Sequence, residues 1–333
     1  MENDSRSRML HQLMRGLILT GFAMLIVYLV KTDNIGYYIA PRMELYVKLS
    51  AIGLYAAAVY QFYEAIQTWI GRKREMQCDC SHDPSPSAAK NTLIYSLFLF
   101  PLALGFLLPD TTMGSALASK KGITLSSSQQ FNTPVNAGGV PNAEAKAEAA
   151  PMNEGSDASS ASRQPETASP VRIELEPGAV PTGEQLNAMF PADTYTETYA
   201  EHAKKLYFSE RIEIPEKSFI ENLTTLDLYR VNLTGKTVVL SGFVYREEEM
   251  GKERFVVSRF AMNCCSADAM PYGLMIDYPG ASRYADDEWI QVTGKMDLTT
   301  YKDNEIIYLK ANKIEKIPAP ESPYVYPDFD FGF

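Results

Sequence analysis

Three long apolar runs open the chain, each bounded by charge. Arg6, Arg8 and Arg15 precede Gly16 to Val30, which holds no charged residue until Lys31. Leu10 to Met14 and the stems of Arg15 and Lys31 extend this run toward the ~20 residues that a membrane-crossing helix needs. Tyr28 to Asp33 offers no small-x-small cleavage site, which favours a retained span over a signal peptide. A second run extends from Leu45 to Ile70, with Lys48 near one end and Gln61, Glu64 and Gln67 near the other. Tyr46, Tyr60, Tyr63 and Trp69 suit its two interfaces with water. The third run, Asn91 to Pro109, carries Pro101 in its middle. Arg72, Lys73, Arg74 and Lys90 lie between the second and third runs. Loops rich in Lys and Arg stay inside, so the N-terminus and residues 71–90 are expected in the cytoplasm and the C-terminal part outside.

Beyond the spans the pattern changes twice. From Gly122 to Pro181 the chain is rich in Ala, Ser, Glu, Pro, Asn and Gln, and no aromatic residue follows Phe131 until Phe190. Such a stretch buries too little apolar surface to offset chain entropy and reads as a disordered linker. From residue 182 onward periodicity returns. Tyr195, Tyr199, Ala203 and Leu206 predict a helix over Thr194 to Tyr207, and Phe219, Leu223 and Leu226 a second over Pro215 to Leu228, with a short strand at Glu210 to Ile214 between them. Five strands are expected at Lys236 to Arg246, Glu253 to Met262, Tyr272 to Tyr278, Glu288 to Met296 and Glu305 to Ile317. Gly242 and Gly294 fall inside strands, where sharp bends close small barrels. The proline-dense tail, Pro318 to Pro327, should be extended and outside any ladder. The expected architecture is a membrane protein with three N-terminal transmembrane α-helices (1–121), a linker (122–181) and an extracytoplasmic α+β domain (182–333). That domain contains a five-stranded OB-like β-barrel at about 233–317, covered at one end by the helical segment before it.

Charge is distributed unevenly. Residues 1–170 hold 14 Lys and Arg against 14 Asp and Glu, whereas 171–333 hold 17 against 27, so the whole net charge of −10 lies in the second part. An acidic domain without a basic stripe argues against nucleic-acid binding and favours cations. Four cysteines in two close pairs, Cys78 with Cys80 and Cys264 with Cys265, are too few to staple a secreted scaffold.

Candidate chemistry gathers at three places. Cys264 and Cys265 end a predicted strand, and the turn-prone Ser266, Ala267 and Asp268 follow. Adjacent cysteines on extended chain point to opposite faces, so both reach one metal only if the backbone turns there. The segment reads as a site for zinc or copper built from Cys264, Cys265 and Asp268, as a vicinal disulfide on an oxidising exterior, or as two small buried hydrophobes. The inner loop holds Cys78, Cys80 and His82, a second soft ligand set or else an incidental polar loop. Glu64 is the one acidic residue well inside a span, a functional candidate unless it reaches the headgroups. The barrel segment holds no histidine, and His202 is expected on a surface helix, so no base serves the thiols and the chain reads as not an enzyme.

Several of these stretches together are similar to the YcgQ-like family of bacterial membrane proteins, also described as DUF1980. They are Tyr37-Tyr38-Ile39-Ala40-Pro41-Arg42-Met43, the Cys78-x-Cys80-x-His82 loop, Gly235-Lys236-x-Val238-x-Leu240-x-Gly242-Phe243-Val244, the strand ending Arg259-Phe260-x-Met262-x-Cys264-Cys265-x-Ala267-Asp268-Ala269, and Trp289-Ile290-x-Val292-x-Gly294. The resemblance implies a two-component membrane complex with a larger polytopic permease of the DUF318 type. Three spans with a single embedded carboxylate are too little for a transport path of their own, which a partner would have to supply. The expected function is therefore that of an accessory permease subunit embedded in membrane lipid, its outer domain binding a substrate or metal ion or gating access. A stand-alone envelope sensor of metal or redox state is the alternative.

Overall fold

The computed structural model describes residues 2–70, 88–108, 114–125, 170–173 and 180–332. The chain falls into two compact units, one of Met1–Met113 with Met262–Ala269, the other of Gly114–Ala261 with Met270–Phe333. The inner-loop residues Cys78, Cys80 and His82 lie outside the described residues, as does most of the expected linker.

The first unit is built on α1 (Glu2–Lys31), α2 (Pro41–Trp69) and α3 (Ala88–Leu107). Within them Met9–Lys31, Pro41–Trp69 and Ala89–Leu107 are long and apolar enough to cross a membrane. Helix α2 starts four residues before its apolar run because Pro41 occupies its first turn, where a fixed φ is already helical and no N–H is needed. Its buried face is a column of small residues, Ala51, Ala58 and Ala65, spaced seven apart. Small side chains let helices approach closely where lipid offers no hydrophobic drive between them. Gly21 of α1 and Gly105 of α3 serve the same end, since a Cβ there would meet Leu102 and Leu25 at 2.5 and 2.8 Å. Large apolar side chains such as Met24, Ile52, Tyr55, Leu97 and Phe100 point outward and exposed, which suits hydrocarbon and not water.

The second unit is β-rich. Its described residues hold α4 (Ser115–Lys121), α5 (Gly183–Met189), α6 (Glu197–Phe208), α7 (Phe219–Leu228), α8 (Arg230–Leu233) and seven strands. These are β1 (Arg211–Glu213), β2 (Thr237–Tyr245), β3 (Arg254–Ala261), β4 (Met270–Asp277), β5 (Trp289–Tyr301), β6 (Asn304–Lys316) and β7 (Tyr324–Val325). Strand β2 pairs antiparallel with both β3 and β5, β3 with β4, and β5 with β6, while β4 and β6 run parallel. Each of β2 to β6 thus has two neighbours within that set. Alternate residues of these strands, among them Val238, Leu240, Val257, Leu274, Val292 and Leu309, join Phe219, Leu223, Leu226 and Leu233 of the helices in one core.

Two expectations about strands need correction. Strand β5 continues past Met296 to Tyr301, because β5 and β6 form a long ribbon that turns through Lys302 and Asp303, both at positive φ. Asp297 on that extension binds Lys310 across the ladder at 2.6 Å. The tail is not free of ladders either, since Tyr324 and Val325 pair in parallel with Phe260 and Ala261 of β3. Proline lacks the donor but keeps its carbonyl, and Pro323 O accepts the Phe260 N–H at 3.3 Å. Helix α5, which the periodicity does not predict, starts at Thr182-Gly183-Glu184-Gln185, a capping box whose two reciprocal bonds are both present. Gly294 coincides with the register shift in the β5–β6 ladder, as a bulge requires.

Strand β3 is clasped at Ser258. A Cβ on Gly242 would lie 2.5 Å from the Ser258 carbonyl oxygen, and one on Gly273 only 2.1 Å from that of Val257. Backbone cannot yield as a side-chain tip does. Gly273→Ala should therefore destabilise the β-rich unit by about 3 kcal/mol, the upper end of overpacking costs, whereas Gly183→Ala, with open space around it, should leave thermal unfolding nearly unchanged. Equal melting curves for the two variants would refute the clasp.

Candidate metal centre

The loop from Met262 to Ala269 joins β3 to β4 by chain, and its turn is made by one carboxylate. Asp268 Oδ1 accepts the Asn263 N–H at 3.0 Å and Oδ2 the Cys264 N–H at 2.7 Å, while the Asp268 N–H returns to the Cys265 carbonyl at 3.0 Å. Asp268 thus folds the chain back on itself, as short acidic side chains do in turns. The backbone turn places the Cys264 and Cys265 sulfurs on the same side, 3.6 Å apart, both as free and partly exposed thiols. One ligand atom from each of Cys264, Cys265 and Asp268 lies within 4.8 Å of the others. Among the described residues this is the one such group of three or more His, Cys, Asp or Glu.

The loop is held from outside by the segment that leads into α2. Ile39 and Cys265 form an antiparallel bridge, flanked by Ala40 N–H to Cys264 O at 3.0 Å and Ser266 N–H to Tyr38 O at 2.8 Å. Arg42 adds Nε to the Asn263 carbonyl at 3.0 Å and Nη2 to its side-chain oxygen at 2.5 Å. Sequence reasoning singled out Tyr37 to Met43 and the cysteine segment separately, but nothing in local periodicity says that stretches more than 220 residues apart pair.

The electrostatics follow from the same contacts. The hydrogen bond from the Cys264 thiol to the Asp268 carboxylate, then that with Cys265, and some burial push the Cys264 thiol up to about 12. Partial burial pushes the Asp268 carboxyl up, but the hydrogen bonds it accepts from the Cys264 thiol and from backbone N–H groups outweigh this and hold it below its usual range. At neutral pH the site is a carboxylate with a thiol donating to it. It is a poor nucleophile, since the thiolate is the reactive form. As a ligand set it fits zinc: two thiolates ~2.3 Å from a tetrahedral ion stand about 3.8 Å apart, close to the spacing already present. Two sulfurs and one oxygen leave a position open, as in exchangeable sites.

The other candidates stand apart. Glu64 on α2 is half-buried, its carbonyl accepting the Thr68 hydroxyl at 2.9 Å, and it is not part of the cysteine group. His202 lies on α6, whose outer positions Glu197, Glu201 and Lys205 are exposed; it is itself half-buried, with Nε2 2.9 Å from Asn222 Oδ1 and its ring edge-on to Phe331 at 4.9 Å. Burial lowers its pKa against the bond to Asn222, and it packs a helix and serves no thiol.

Comparison with known proteins matches both units to one family. Residues 14–124 match the DUF1980 N-terminal domain and residues 189–327 the DUF1980 C-terminal domain. UPF0703 protein YcgQ of Bacillus subtilis (strain 168) is 24% identical over 239 residues, which cover 71% of this chain and 69% of that protein. A Streptococcus mutans protein named "Putative two-component membrane permease complex subunit" is 24% identical over 140 residues, 41% of this chain and 51% of that one. With the latter, the match spans about half of the relative's length.

The carboxylate's effect on the thiol can be measured on metal-free protein. Asp268 stabilises the protonated thiol, so Asp268→Asn should lower the Cys264 pKa and raise the thiolate fraction at pH 8. In a Cys265→Ser background, alkylation of Cys264 by iodoacetamide should then run about tenfold faster or more, with the midpoint of the pH–rate profile moved down by at least a unit. An unchanged profile would show that the carboxylate does not govern the thiol.

Proposed function

The chain belongs to the DUF1980 family, and from that premise we propose that it is an accessory subunit of a two-component membrane permease complex. Its partner is a polytopic permease of the DUF318 type, which supplies the transport path. The three apolar helices cross the membrane with the N-terminus and residues 71–90 in the cytoplasm and the β-rich region outside, following the Lys/Arg asymmetry. We read strands β2 to β6 as an OB-like barrel; the circuit of pairings β2–β3–β4–β6–β5–β2, with β4 and β6 parallel, supports it. The chain does no catalysis on this reading, in keeping with the names of its relatives.

The observation that carries the regulatory side of this proposal is the pairing of the cysteine loop with the start of a span. Ala40 donates to Cys264 O and caps α2, where its own carbonyl accepts the Met43 N–H at 2.8 Å. A thiophilic or borderline cation such as zinc or copper, held by Cys264, Cys265 and Asp268, bears directly on that helix start and can gate access in the partner. The same pairing suits the second reading, a stand-alone envelope sensor of metal or redox state. Protein–protein capture separates them. Isolation of a tagged chain from native membranes should bring down a polytopic permease at near-stoichiometric yield; the chain alone would favour the sensor.

Metal binding has its own test on the full chain in detergent. With Cys78→Ser and Cys80→Ser in place to silence the inner loop, reduced protein should bind about one zinc ion per chain, more tightly as pH rises because binding must release the Cys264 proton. Cys264→Ser with Cys265→Ser should abolish this. If the variant binds as much zinc as the parent, with and without reductant, the loop is packing and the metal proposal fails.

A further inference from the structure

A concave site lies wholly within the β-rich unit. A cleft of about 490 Å³ is lined by Val239 and Ser241 of β2 and by Trp289 and Gln291 of β5, positions that alternate with the core residues Val238, Leu240, Ile290 and Val292. Its size falls in the range of small-molecule sites, roughly 300 to 1,000 Å³. Ser241 and Gln291 face each other across the ladder and share a hydrogen bond of 3.2 Å. Trp289, Ile214 and Pro215 just after β1, and Ile317, Pro318 and Pro320 add apolar wall.

Four charges border the cleft in two pairs, Arg211 with Glu213 at 3.2 Å and Arg259 with Glu216 at 3.0 Å. The arginines are unlike. Arg211 is half-exposed, whereas the Arg259 side chain is only 6% exposed and its guanidinium lies over the Trp289 ring at 5.3 Å. Arg259 Nη1 binds Glu216, Nη2 donates to the Ser322 carbonyl at 2.9 Å, and the buried Nε has no partner among the described residues. Native folds leave few buried donors unused, and a pre-oriented guanidinium is the usual reader of a carboxylate. Its present counter-ion, Glu216, is 57% exposed and can be exchanged without disturbing the core.

The balance of charge selects the ligand. A purely anionic molecule entering here meets Glu213 and Glu216, and a purely cationic one meets Arg211 and Arg259. A zwitterion satisfies both pairs. We propose that this cleft binds a small zwitterion with an apolar body, an aliphatic amino acid or a short peptide of them. Its carboxylate takes the place of Glu216 on Arg259, its ammonium is received by the released Glu216, and its side chain lies against Trp289. The site is independent of the cysteine loop and of whether that loop holds metal.

The chain has two tryptophans, Trp69 and Trp289, so Trp69→Phe leaves fluorescence that reports on the cleft alone. The full chain in detergent would be titrated with L-leucine and L-leucyl-L-leucine, and with 4-methylpentanoate and 3-methylbutylamine, which each keep one of leucine's charges. Saturable change is expected with at least one zwitterion, and at least about tenfold weaker binding of both single-charge analogues. The tighter of the two zwitterions tells free amino acid from peptide. Arg259→Lys, which loses the fork, should weaken the zwitterion at least about tenfold, and so should the exposed Glu216→Gln, whose folding a melting curve would verify. The proposal is overturned if neither zwitterion saturates the signal, if 4-methylpentanoate binds as well as leucine, or if Glu216→Gln binds like the parent.

Discussion

The close approach of three backbones at Ser258 is the constraint on which the β-rich unit rests. Strand β3 pairs with β2 and β4, and with β7 at its end, and it is buried on both faces. Phe255 and Val257 enter the main core, while Phe260 on the other face stacks on Phe243 at 5.1 Å and meets Tyr324. Such burial demands that neighbouring strands close in without side chains at the crossing, and Gly242 and Gly273 provide that from either side. Where β3 leaves the sheet, its chain passes straight into the cysteine loop.

Within the loop a single carboxylate serves two ends that compete. Asp268 makes the turn by accepting backbone N–H groups, and it also accepts the Cys264 thiol proton. A cation that displaced this proton would relieve the carboxylate of one donor, while the N–H groups of Asn263 and Cys264 would still hold the turn. The same hydrogen bond keeps the thiol protonated and hence slow toward oxidants and electrophiles in the absence of metal. The loop is thus better suited to reversible coordination than to covalent chemistry.

Much of this was legible in the sequence. Apolar runs bounded by Lys and Arg located the helices, and alternation with turn residues located five strands to within a few residues, because both signals are local. Asp268 could be paired with the cysteines since four residues and a turn separate them. What escaped were features made by distant pairing. The extension of β5 has few apolar residues and is held by cross-strand contacts such as Asp297 with Lys310. Strand β7 rests on a proline carbonyl, which propensity discounts. Helix α4, Ser115–Lys121, has no apolar period and is anchored by bonds from Ser115 to Asp287, 172 residues away. Arg259 read as one more position on a strand face, although its burial depends on Trp289, Glu216 and the carbonyl of Ser322, which come from three other parts of the chain.

The pairing of Tyr38 to Arg42 with the cysteine loop gives two of the stretches singled out in the sequence one physical role. Two residues on each side make only a short bridge, which alone would be marginal in water. Arg42 strengthens it with two hydrogen bonds to Asn263, and Pro41 stiffens the strand-to-helix turn by fixing its own φ. The bridge ends at the cap of α2: Ala40 is at once the bonding partner of the loop and the cap of the helix, so the Cys264 carbonyl and the helix start meet at one peptide unit.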